Sequence, residues 1–200
     1  MNEPLNTLLN LFFRWAHIVA GITWIGLLYF FNWVNGPFQG KIDGPTKKVV
    51  NPELLPRALF WFRWAAVATW VLGAFILGER FLDAFLFRER AYVPIGIGAW
   101  LGTIMIFNVW VLIWPNQKKI ITALKAGSPL PPDSPEVKIA GLRSRHNTYM
   151  SVPLVMFMIS NHYPTMFSNP MRDACAAGVI VLGFFMVWLL YWKAGKVQGF

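Results

Sequence analysis

The sequence predicts an all-α integral membrane protein, a bundle of about five transmembrane helices, and three observations carry that prediction. Of 200 residues, 56% are hydrophobic, with 11 Trp and 17 Phe, where soluble domains are roughly half apolar. Apolar runs with few charges lie near 11–34, 58–78, 92–114, 147–166 and 174–192. Each approaches the roughly 20 residues that cross about 30 Å of hydrocarbon. The basic residues gather between these runs, which leaves one membrane domain over 1–200.

Each element has a local reason. The first run is too long for a secretory signal, contains His17 and three tryptophans, and lacks a small-residue cleavage site, so it reads as a permanent helix. After the second, ERFLDAFLFRER (79–90) mixes Phe and Leu with charge and is expected in the membrane interface. The third contains Gly98 and Gly102, a small-xxx-small step suited to close helix packing. In the 115–146 connection, PNQKKIITALKAG reads as a short basic amphipathic helix closed by Gly127. Ser134, Pro135 and Glu136 then supply a capping hydroxyl, a first-turn proline and an early acid. That second short helix is expected to run through Arg143 into the fourth span. Pro153 predicts a kink there, and Pro164 an end just beyond His162.

Five crossings divide the cations unevenly. Arg14, Arg80, Arg88, Arg90 and Arg172 fall on one side, against twelve Lys/Arg on the other, from Lys41 to Lys196. The positive-inside bias therefore predicts an outer N-terminus, a cytoplasmic C-terminus and a multi-pass location in a bacterial inner membrane. A net charge of +9 is explained by topology and anionic lipid, and argues against nucleic-acid binding. Cys175 is the only cysteine, which excludes an internal disulfide, a thiolate cluster and CxxCH haem attachment within this chain. With no Walker loop, no GxGxxG before a helix and no di-iron carboxylate spacing, hydrolytic chemistry has no machinery.

The histidines are the chemical signal, because ionisable residues inside a membrane are costly and usually functional. His17, Gly21 and Trp24 share one helix face at spacings of four and seven. A glycine beside an imidazole leaves room for a flat macrocycle or another helix, and the indole packs or donates its N–H. His146 and His162 are 16 residues apart, about 24 Å along a helix, and so cannot bind one iron. Topology pairs His17 with His162 at the outer side as axial ligands of a b-type haem, with Arg14 or Arg172 for its propionates. The structural alternative makes His17 an interhelical hydrogen-bond donor and Gly21 a packing notch. On the opposite side, His146, Asn147, Arg63, Asn108, Asn116 and Arg145, with Tyr149, are candidates for a second polar site. It would suit a quinone headgroup, an anion or haem propionates. The plain alternative is a snorkelling and capping cluster.

Four stretches carry a family resemblance: RWAHIVAGITWIG, LPRALFWFRWAAVATW, LGTIMIFNVWVLIWPNQKKIITALKAG and RSRHNTYMSVPLVMFMISNHYP. Together they resemble the membrane domain of bacterial cytochrome-c-coupled urate oxidase, the urate oxidase N-terminal family, over about two thirds of the chain. Full-length members have about eight membrane helices and a terminal c-type cytochrome domain. This chain has about five spans, no CxxCH, and no histidine in GPTKKVVNPELLPRALFWFRW. The HxxxGxxWxG of the first span is also similar, more loosely, to membrane protoporphyrinogen oxidases and copper-resistance membrane proteins. A haem b bundle is common to these resemblances.

Three functions follow as expectations. The first is a haem b protein passing electrons between a membrane donor and an outward-facing c-type cytochrome. The second is an oxidoreductase acting on urate or a related purine, with His146, Asn147, Arg63 and Asn116 orienting the anion. The third is a cofactor-free accessory subunit of a respiratory or photosynthetic complex.

Overall fold

The computed structural model describes residues 3–163 and 170–197, and every regular element among them is helical. Helix α1 (Glu3–Tyr29) passes through a π-helical segment (Phe30–Asn35) into α2 (Gly36–Lys41). Asp43 then caps α3 (Gly44–Leu77), its carboxylate accepting the Thr46 N–H at 2.9 Å. Pro45 in the first turn suits a helix start. Helix α4 (Phe81–Phe85) follows Gly78, whose φ of 52° only glycine adopts without cost. Next come α5 (Val93–Phe107), a second π-helical segment (Asn108–Ile113) and α6 (Trp114–Lys125). Last are α7 (Pro135–Ile159), its 3-10 turn Ser160–His162, and α8 (Arg172–Ala194).

Four helical stretches are long and apolar enough to cross a membrane: Glu3–Lys41, Gly44–Phe85, Arg90–Lys125 and Arg172–Ala194. They contain the first, second, third and fifth predicted runs. The fourth run falls on α7, which is polar for a physical reason. It packs against α1, α5, α6 and α8 together, so Asn147, Thr148 and Ser151 are buried against protein rather than lipid. The start at Ser134–Pro135 and the passage through Arg143 are as the sequence predicts, but the Ser134 hydroxyl makes no capping hydrogen bond and is buried without a partner among the described residues. Pro164 lies outside the described residues.

One local expectation changes. The basic helix expected at 115–127 is not a detached loop helix, because the Asn108–Ile113 segment joins it to the third span without a break. Gly127, with φ of 78°, does close it. Helix α7 continues through Pro153, where the sequence predicts a kink. The proline packs on Gly183 of α8, where an added Cβ would sit 2.7 Å from Pro153 Cγ. Gly183 therefore sets the close approach of α7 and α8.

Each π-helical segment holds an asparagine bonded to α7: Asn32, which also donates to the Leu28 carbonyl, donates to Ser144 Oγ at 2.8 Å, and Asn108 donates to Asn147 Oδ1 at 2.8 Å. Single π turns inside α-helices are often found at functional sites.

Candidate functional site

At the amino-terminal end of the bundle, α1, α3, α4, α5 and α7 enclose a cavity of about 410 Å³. That lies within the range of about 300–1,000 Å³ typical of small-molecule sites. Its wall is mostly apolar and includes Trp70, Phe81 and Phe85, with Gly98 and Gly102 where α5 faces α7. The roof is α4. The segment expected in the membrane interface turns Phe81 and Phe85 into the cavity and buries Ala84, leaving Leu82, Leu86 and Phe87 exposed.

His17 and His162 both line this cavity, together with Arg14 and Trp24. His17 Nδ1 lies 2.8 Å from the Thr69 carbonyl. A carbonyl only accepts, so Nδ1 carries the proton and Nε2 keeps its lone pair. Such a tie from one ring nitrogen to a backbone carbonyl is the usual support of a metal-binding imidazole. The ring lies against Gly73, where an added Cβ would stand 3.1 Å from His17 Cε1 and 3.3 Å from Nδ1. Thr69 Oγ1 is itself held by the Ala65 carbonyl at 2.7 Å. The Trp24 indole N–H is buried with no hydrogen-bond acceptor among the described residues. These observations fit a bound group that takes an imidazole ligand in apolar surroundings. The bond to Thr69 is also the interhelical bond of the structural alternative; His17 and Arg14 are the wall residues whose chemistry could hold a planar tetrapyrrole and its acidic edge.

The other residues nominated for this site are arranged differently. Gly21 is not part of the cavity wall; it faces Thr69, whose Cγ2 is 3.8 Å from an added Cβ. Clearance for the imidazole comes from Gly73. Arg172 pairs with Asp173 at 2.8 Å and is not part of the wall.

The second group of polar residues is held largely by contacts within the bundle, although Arg63 Nε and Nη1 are buried without hydrogen-bond partners among the described residues. Asn108 donates to Asn147 Oδ1, and Asn147 donates at 3.0 Å to the Met105 carbonyl. Asn116 turns back to the Leu112 carbonyl at 2.7 Å. The Arg63 guanidinium lies 3.7 Å from the Trp114 ring centroid, between Phe60 and Trp110. Arg145 stacks on Tyr191 at 5.1 Å, and His146 is exposed. Around them run further interhelical bonds: Tyr191 Oη to Asn32 at 2.8 Å, Ser151 Oγ to Tyr29 Oη at 3.0 Å, and the reciprocal amide pair Gln39–Asn51.

Sequence reasoning missed Thr69 and Gly73. Their signal was faint, a threonine and a glycine four apart near the end of an apolar run, and only the docking of α1 on α3 gives it meaning. It also missed Met158, which lines the cavity one turn before His162.

The urate oxidase N-terminal family model matches residues 74–198, more than half of the chain. The match takes in α4 to α8 and begins after His17, Thr69 and Gly73. No curated protein and no solved structure matches.

Proposed function

The chain belongs to the urate oxidase N-terminal family, and from that footing we propose that it is a membrane haem b protein that carries electrons to an outward-facing c-type cytochrome. The observation that supports this reading most is the shared cavity: His17 and His162, distant in sequence, line one mostly apolar void, and the Thr69 carbonyl fixes the His17 tautomer. Haem, when bound, supplies reversible one-electron chemistry. This chain's residues do the rest. His17 would hold the group through Nε2, the sequence nominates His162 as a second ligand, and Arg14 would neutralise an acidic edge. Trp70, Phe81 and Phe85 exclude water, which raises the cost of charge at the centre and so tunes its potential.

In this reading the chain crosses the bacterial inner membrane five times, with α7 as the shielded fourth crossing and the cavity near the outer face. The twelve-to-five distribution of cations supports that orientation. Purified protein is expected to contain one haem per chain by pyridine-haem assay and to reduce a c-type cytochrome. A preparation with intact helical structure and no Soret band would sink the proposal.

The family name favours a second reading, an oxidase acting on urate or a related purine with a separate cytochrome as acceptor. Asn147 and Asn116, two of the residues expected to orient the anion, are engaged within the bundle, which weakens it, whereas Arg63, stacked on Trp114, keeps two buried nitrogens without acceptors among the described residues. Urate-dependent reduction of cytochrome c by membranes containing the protein would favour it.

A further inference from the structure

Two axial ligands bind one iron from opposite faces, so they must share a depth in the bundle. The depth of His17 can be carried from helix to helix by contacts. Its ring rests on α3 between Thr69 and Gly73. Beside Thr69, Trp70 Nε1 donates to Thr103 Oγ1 of α5 at 2.9 Å, which equates that level of α3 with the level of Thr103. On α5, Gly102 faces Leu154 of α7, whose Cδ1 would lie 3.6 Å from an added Cβ. Gly98 faces Met158. The imidazole therefore sits near the level of Leu154.

Along α7, Met158 is one turn from that level and His162 two, about 6 Å and about 12 Å toward the amino-terminal end. Side chains on a helix lean back toward its N-terminus, which carries the Met158 thioether toward the imidazole. Met158 is an unbranched, adaptable side chain that already lines the cavity. His162 lies in the 3-10 turn beyond the helix and is exposed.

We propose that Met158, rather than His162, is the ligand opposite His17, giving a His/Met pair, with His162 at the cavity mouth. This rests on the haem reading and refines it. A thioether in place of a second imidazole raises the reduction potential, which suits a carrier that delivers electrons to a high-potential acceptor.

The test uses the purified full chain and its haem, read by absorption, magnetic circular dichroism and redox titration. Wild type is expected to show the weak far-red sulfur-to-iron band of Met-ligated ferric haem. Met158→Leu should lose that band and fall in midpoint potential, and His162→Gln should keep the band. Met158→His, which retains a ligand should the leucine variant misfold, should convert the spectrum to a bis-imidazole type with a lower potential. A bis-imidazole spectrum in wild type that is lost in His162→Gln and unchanged in Met158→Leu would overturn the assignment and leave the haem reading intact. Absence of haem from wild type would overturn both.

Discussion

The two ends of this bundle differ in what their polar residues border. At the lysine-rich end, amides and hydroxyls bond one another, Asn108 with Asn147, Asn32 with Ser144 and Tyr191, Gln39 with Asn51, while the Trp33 indole and Arg63 Nε and Nη1 are buried without hydrogen-bond partners among the described residues. At the amino-terminal end, His17 is tied by one nitrogen only and Trp24 has a buried donor without an acceptor, and both border a void. Buried polar groups cost free energy unless bonded. An unpartnered group occurs at both ends, so what sets the amino-terminal end apart is the cavity that His17 and Trp24 border. A polar residue in a membrane helix is a candidate for function only until its partners are known.

Four substitutions sharpen or break this contrast. Asn147→Ala removes a fully buried side chain that bridges α5 and α7. It should cost about 1–2 kcal/mol in detergent unfolding, with haem content per folded chain unchanged. Loss of haem in that variant would erase the distinction between the two ends. Gly73→Ala should cost about 1 kcal/mol, because the methyl must displace the imidazole. Unlike Asn147→Ala, it should also lower haem occupancy or change the spin state, which an absorption spectrum reads directly. Tyr191→Phe deletes the bond to Asn32 and should cost about 0.6 kcal/mol, the usual size of such a bond inside a membrane. Smallest of all is His146→Ala: the residue is exposed, so stability should stay within about 0.5 kcal/mol. A marked change in electron transfer there would restore a second site at the lysine-rich end.

Much of the architecture was legible because hydropathy and capping are local signals. The apolar runs, the start at Ser134–Pro135 and the stop at Gly127 all depend on neighbours in sequence. The placement of His17 and His162 at one end followed from counting crossings. What stayed hidden depends on register between helices. Gly21, next to His17 in sequence, was the natural source of clearance, but Gly73 supplies it because α3 docks there. The sequence groups Asn108 and Asn147 in one polar site, but only the α5–α7 register shows that they bond each other. The π-helical segments were equally silent, although each carries an asparagine bonded to α7.

The central claim is that the cavity bordered by His17 binds haem through that imidazole. Its most direct measurement is pyridine-haem quantitation of wild type and His17→Ala, each normalised to folded protein by thermal unfolding. The account predicts one haem per wild-type chain and none in a folded His17→Ala variant. Equal haem in the two proteins, or none in either, would contradict it.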